Sequence, residues 1–278
     1  MGRLATPARS EKSANFFPVL NASNMRFLGS PLDRLNSRCN RSALQNQRAR
    51  NHVPQHLQDK LFQDISCWMD SARGASSSMM WIRGSEATDG LQSAVCDRIV
   101  NSYAGNQTKK SSKGNDSNNP DAFIARFFVP EPPNSAERDL VPTLTSQLIG
   151  TLPEIKKLVE RQITLHPHIF YESQTAQMDA LFMQPLRRLS HSGRPLTRLF
   201  TRKGKQSHLI LVEGLHRLGD GDSEVQIEVL QMFSRAVAAS KKQTIDLRVL
   251  VTSRAEPHLL SAMNGVRDSQ VEMIDLDS

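Results

Sequence analysis

Five strand-length apolar runs constrain this chain most: Met79 to Ile82, Ala122 to Val129 (AFIARFFV), Leu209 to Val212, Leu247 to Val251 (LRVLV) and Val271 to Leu276. Leu209 to Val212 carries no polar residue at alternate positions, which suits a strand buried on both faces, as strands of a parallel sheet are. Between the runs, apolar residues recur every three or four positions, the period of one helix face. Strands alternating with helices predict a parallel sheet with helical crossovers, an α/β fold of three layers.

The helical stripes are Leu57, Leu61, Ile65 and Trp68, then Leu91, Val95 and Ile99, then Leu140, Leu144 and Leu148. They continue with Ile155, Leu158, Val159 and Ile163, then Met178, Leu181, Phe182, Leu186 and Leu189, and finally Ile227, Leu230, Phe233 and Val237. Pro185 interrupts the fifth stripe and predicts a kink or break, because proline lacks an N–H and crowds the preceding turn. Residues 103–120 and 191–206 are rich in polar and basic residues and read as loops. The domain is therefore expected over 53–278, behind a mostly disordered segment, 1–52, that has no sustained periodicity.

Charge divides the chain the same way. Residues 1–51 hold nine Arg or Lys against Glu11 and Asp33, a net of +7, so the remaining 26 basic and 26 acidic residues cancel. The basic character belongs to the tail, and no specific nucleic-acid surface is implied for the body. The tail itself fits three descriptions. Met1 to Thr6 (MGRLAT) matches the loose N-myristoylation pattern, though membrane anchoring through Gly2 is not expected. An Arg-rich, acid-poor start also fits a mitochondrial presequence, but a plain disordered tail fits better than either. Cys39, Cys67 and Cys96 form no metal-binding or disulfide pattern and read as reduced thiols of an intracellular, cytoplasmic protein. No apolar run reaches the length of about 20 residues that a membrane span needs.

In an open parallel sheet ligands sit at the carboxyl ends of the strands. Three such ends carry polar sequence: Gly84 onward, Glu213 onward and Thr252 onward. Around them the chain resembles a NACHT-type domain of the STAND class of P-loop NTPases, most of all the nephrocystin-like N-terminal domain of fungal multidomain proteins. The resemblance rests on Trp81 to Gly84 (WIRG) entering the loop, Phe123 to Pro130 (FIARFFVP), Leu140 to Leu148 (LVPTLTSQL) and His166 to Phe170 (HPHIF). It continues through Pro185 to Leu189 (PLRRL), Leu209 to Leu215 (LILVEGL) and Val251 to His258 (VTSRAEPH). It runs from about Val53 to the C-terminus.

The nucleotide-binding residues depart from that family. A working phosphate loop, GxxxxGK[ST], holds phosphates with backbone N–H groups and a Lys, and Mg²⁺ with a hydroxyl. The corresponding positions are Gly84, Ser85, Glu86, Ala87, Thr88, Asp89, Gly90 and Leu91. Gly84 fits the first glycine, but Asp89 stands at the second, Gly90 at the Lys and Leu91 at the hydroxyl. Glu86 and Asp89 add negative charge. One carboxylate at about 6 Å from a phosphate charge, at an effective dielectric near 20, is repelled by roughly 3 kcal/mol. A lost Lys contact forfeits about 1.5–3 kcal/mol more. The stretch Asp89 to Gln92 (DGLQ) also has the form of a capping box, so Asp89 is expected to cap the helix that a phosphate would otherwise cap.

The resemblance places a Walker B-like site at Glu213, His216 and Arg217, where the family has an acidic run, and a sensor-like position at Arg254. Glu213 keeps a carboxylate that could hold Mg²⁺ through water, whereas His216 and Arg217 replace the acidic pair. Arg254 is either a relic anion contact or an arginine in a local carboxylate pair. Asp220, Asp222 and Glu224 read as an acidic helix start, since they lack EF-hand spacing. His166 and His168 read as a turn, with no further ligands to complete a metal set. Lys109, Lys110 and Lys113 read as loop-solvating charges.

The resemblance thus implies a degenerate NACHT-like module, a non-hydrolysing scaffold or regulatory domain in intracellular signalling, with no catalytic residues, no metal and no cofactor. Its expected partners are proteins, full-length relatives among them. Two alternatives stand beside it. One is a nucleotide-binding NTPase switch with an atypical loop, taking ATP or GTP with Mg²⁺. The other is an interaction or anchoring protein that works through its basic tail. Proteins of this class usually continue into winged-helix or repeat regions, whereas this chain ends soon after the fifth strand. The expectation is either a truncated product or a partner of longer relatives.

Overall fold

The computed structural model describes residues 29–40, 54–71, 77–111, 124–130, 136–191, 208–241, 245–265 and 271–277. Its centre is a five-stranded sheet of β1 (Met79–Gly84), β2 (Ile124–Phe128), β3 (His208–Glu213), β4 (Leu247–Arg254) and β5 (Val271–Asp275). The order is β2-β3-β4-β1-β5, and every neighbouring pair is parallel. All five apolar runs form strands of this sheet.

Successive side chains of a strand point to opposite faces. Met79, Trp81, Ile210, Val212, Val249 and Val251 meet one helical layer, while Met80, Ile82, Leu209, Leu211 and Leu250 meet the other. Both faces of β1, β3 and β4 are covered, so those strands are largely apolar, whereas the edge strand β5 is partly exposed and carries Glu272 and Asp275. The first layer holds α1 (Pro31–Asn36), α4 (Ala136–Thr151), α5 (Lys156–Leu165), α6 (Gln174–Gln177), α7 (Gln184–His191), α8 (Ser223–Lys241) and α9 (Pro257–Gly265). The second holds α2 (Gln55–Asp70) and α3 (Asp89–Ser111). The end of α2 is tied to β4 by the buried Arg248, which donates to the carbonyls of Trp68 and Ser71 and lies over the Trp68 ring. Unpaired carbonyls at a helix end are satisfied in this way by a cation.

Three local features differ from the sequence-based expectation. First, α1 lies inside the segment assigned to the basic tail. Ser30 and Asp33 form a reciprocal capping box, Pro31 opens the helix, and Leu35 is fully buried. Arg34 stacks over Phe170, and the Asn40 amide donates to Thr143 Oγ1 at 2.9 Å. Leu35 and the partly buried Leu32 are the apolar residues of a six-residue helix, too short for a period to be detected. The rest of the expected tail, 1–28 and 41–52, lies outside the described residues.

Second, α3 continues to Ser111 where composition predicts a loop from Tyr103. Its N-terminal half is packed through Leu91, Val95 and Ile99, and adding residues to a formed helix costs little beside nucleating one. Residues 112–120 of that predicted loop, with Lys113, and 192–206 of the second loop lie outside the described residues. Third, the kink expected at Pro185 is a π turn just before it, Met178–Met183, between α6 and α7. Proline cannot bond back to Leu181 and crowds its carbonyl, and the wider turn accommodates both.

Candidate functional site

The chain leaves β1 through α3 toward the β2 edge, whereas it leaves β4 through α9 toward the β5 edge. These neighbouring strands lead in opposite directions, and the crevice outside the carboxyl ends at such a switch point is where α/β folds bind ligands. Gly84 pairs with Arg254 in register, and Glu213 pairs with Thr252. The three polar strand ends are therefore brought side by side.

The loop after β1 is folded tightly on itself. From Ser85 it enters a 3-10 turn, Glu86–Thr88, that runs directly into α3. Thr88 donates to the Ser85 carbonyl from both its amide, at 3.1 Å, and its hydroxyl, at 2.8 Å. A Cβ on Gly84 would overlap the Thr88 hydroxyl and stand 3.3 Å from Leu276 Cβ. Glycine is required here by the turn's own packing. Ser85 Oγ donates to Asp277 at 3.0 Å, Ala87 is exposed, and Leu91 is buried in the second layer's core. Gly90 is half-buried in the first turn of α3.

Asp89 does not cap the helix. Its φ of −53° and ψ of −40° are helical, continuous with the preceding turn, whereas a capping residue takes a non-helical conformation. The Gln92 side chain, the other half of the expected box, donates instead to the Ser253 carbonyl at 3.3 Å. Asp89 Oδ2 accepts from Arg217 Nη2 at 3.0 Å and from Arg254 Nη2 at 3.3 Å. The Asp89 and Arg217 side chains are only 12% and 10% exposed, so little water competes. Arg254 also reaches Glu86 at 3.4 Å, but that carboxylate is largely exposed and its pair is correspondingly weak.

Loop geometry supports this cluster. Arg217 lies in the turn segment Leu215–Gly221 after β3, in which Gly219, Asp220 and Gly221 take positive φ, as does Gly214 just before it. His216 Nδ1 accepts the Arg254 backbone N–H at 3.1 Å, joining this segment to the end of β4. Asp222 accepts from the Glu224 amide at 2.8 Å where α8 begins, so the acidic residues there do serve a helix start. His166 and His168 lie at a turn that leads into the short 3-10 helix Ile169–Tyr171.

Glu213 belongs to a second, deeper cluster. Its carboxylate accepts from Arg126 Nη2 at 2.6 Å and from the Ser93 hydroxyl. Arg126 also meets Asp97 at 2.6 Å. Burial disfavours the guanidinium's charge, but the Glu213 carboxylate, with Asp97 beside it, more than offsets this and raises its pKa. A carboxylate whose charge is already compensated by a guanidinium attracts a cation less strongly. Sequence reasoning missed Arg126, Asp97 and Ser93. The signal was present: an arginine inside FIARFFV and a glutamate ending HLILVE are charges in buried strands, and a buried charge requires a partner.

The structure therefore brings Glu86, Asp89, His216, Arg217 and Arg254 together and bonds Glu213 to a different set of side chains. Among the described residues no group of His, Cys, Asp and Glu is arranged to hold a metal ion. No described helix is long and apolar enough to cross a membrane. No protein-family model, curated protein or solved structure matches the chain.

Proposed function

We propose that this chain is a degenerate NACHT-like module, a scaffold or regulatory domain that neither hydrolyses nor binds nucleotide and acts by contacting other proteins inside the cell. One observation carries the reading. Asp89, at the position of a phosphate loop's second glycine, holds the two arginines that a nucleotide's phosphates would need. A phosphate entering this crevice has to displace a largely buried carboxylate and leave it unpaired, and breaking such a pair costs about 3–5 kcal/mol. The missing Lys at Gly90 and the missing hydroxyl at Leu91 remove the compensating contacts. The engagement of Glu213 by Arg126 and Ser93 supports the same reading on the metal side.

The competing reading is a nucleotide switch in which ATP or GTP with Mg²⁺ releases Arg217 and Arg254. Calorimetric titration of the full chain with Mg²⁺-ATP and Mg²⁺-GTP separates the two. No heat of binding is expected up to millimolar nucleotide. Saturable binding with a micromolar Kd would overturn the proposal in favour of the switch.

A further inference from the structure

We infer that Asp89 is a built-in anion: its carboxylate fills a two-arginine oxyanion site, and this internal ligand holds the β1, β3 and β4 loops in a single arrangement. The inference deepens the proposed function and rests on its placement of the site, though not on the family resemblance. Both guanidiniums converge on the same atom, Asp89 Oδ2, from separate parts of the chain. Arg217 is delivered by the glycine-rich segment after β3 and Arg254 by the end of β4. The backbone link from Arg254 to His216 sets these two carriers against each other. Asp89 itself opens the 23-residue helix α3.

Two convergent arginines at the start of a long helix form a geometry that binds phosphoryl and sulfate groups, because charge, bidentate donors and the helix dipole act together. Here that anion is covalently part of the chain, so its effective concentration never falls. The crevice stays in its filled state without a ligand, and its conformation does not report nucleotide level. Glu86, which also pairs with Arg254, is 81% exposed and is not bonded to Arg217, so it does not stand between both arginines as Asp89 does. Removing the Asp89 charge is expected to open a site for a small free oxyanion.

The test is thermal melting of the full chain as wild type, Asp89→Ala, Asp89→Asn and Asp89→Ala/Arg217→Gln, in chloride and in phosphate at matched ionic strength. Both single variants are expected to melt lower than wild type in chloride. Inorganic phosphate at a hundred times its Kd is expected to raise them by on the order of 5–10 °C. Wild type and the double variant are expected to show only the small general stabilisation that phosphate gives any protein. Single variants that melt at the wild-type temperature in chloride, or gain no more from phosphate than the double variant, overturn the inference. Where Asp89→Ala does not fold, Asp89→Asn keeps the side-chain volume and gives the same reading. Adenosine diphosphate is the second probe, and recovery with it but not with phosphate overturns the assignment to a free oxyanion. Micromolar Mg²⁺-ATP binding by wild type would instead defeat the proposed function, which the variants do not address.

Discussion

Arg126 on β2 and Glu213 on β3 join across the sheet, Nη2 to Oε2 at 2.6 Å, with side chains only 9% and 3% exposed. Their charges are mutually necessary. Arg126→Met leaves Glu213 buried without its guanidinium, and the expected loss is about 3–5 kcal/mol of unfolding free energy. The double variant Arg126→Met/Glu213→Gln is expected to recover part of that loss, because the more deeply buried carboxylate is neutralised and only Asp97, 17% exposed, still lacks its guanidinium. Urea unfolding measures both, and a loss under about 1 kcal/mol for the single variant would contradict the assignment.

His208 opens β3, buried, and burial pushes its pKa down to about 4, with Asp246 opposing. The unfolded chain takes up a proton on this ring below its ordinary value of 6.5, while the folded chain does not until about 4. The stability it confers is therefore complete above 6.5 and is lost as pH falls toward 4. By pH 5 the loss is ~2 kcal/mol. Stability measured at pH 7 and pH 5 for wild type and His208→Gln is expected to show a shallower fall in the variant. Equal falls would remove His208 from the acid response.

The three thiols are expected to react in the order Cys67, Cys39, Cys96. Cys67 is exposed, Cys39 half-buried and Cys96 buried. Burial, with the Glu213 carboxylate nearby, pushes the Cys96 thiol well above its ordinary pKa, so it supplies almost no thiolate. Alkylation followed by mass spectrometry is expected to label Cys96 only after denaturant is added. Labelling of Cys96 at a rate near that of Cys67 in native conditions would contradict its placement.

Gly84→Ala is expected to destabilise the chain by about 1–3 kcal/mol, because its Cβ overlaps the Thr88 hydroxyl. Thr88→Ala alone loses a hydrogen bond to the Ser85 carbonyl, a cost of about 0.5–1.5 kcal/mol. Together the two are expected to cost less than their sum, since the second removes the atom that the first meets. A double-mutant cycle with additive losses would mean that the glycine serves some other purpose.

The sheet and its covering helices were legible because burial on both faces selects apolar runs such as LILV, and LRVLV departs from this only at Arg248, which is bonded to the end of α2. The strand order was not legible. Strand pairing depends on contacts between residues far apart in the chain, such as Trp81 with Val251, which no local period records. The helix α1 escaped for another reason: its six residues carry only Leu32 and Leu35 to the core, too short a stretch to establish a period.

At the site, the sequence by itself determined which groups were missing: no Lys at Gly90 and no hydroxyl at Leu91, with carboxylates at Glu86 and Asp89. It also placed Arg217 and Arg254 at strand ends. Only the tertiary structure decided what Asp89 does. Local spacing made it a helix cap bonded to Gln92, a contact within one turn. A carboxylate, however, gains more from two guanidiniums shielded from water than from a backbone amide, and the parallel sheet delivers both arginines to the same atom.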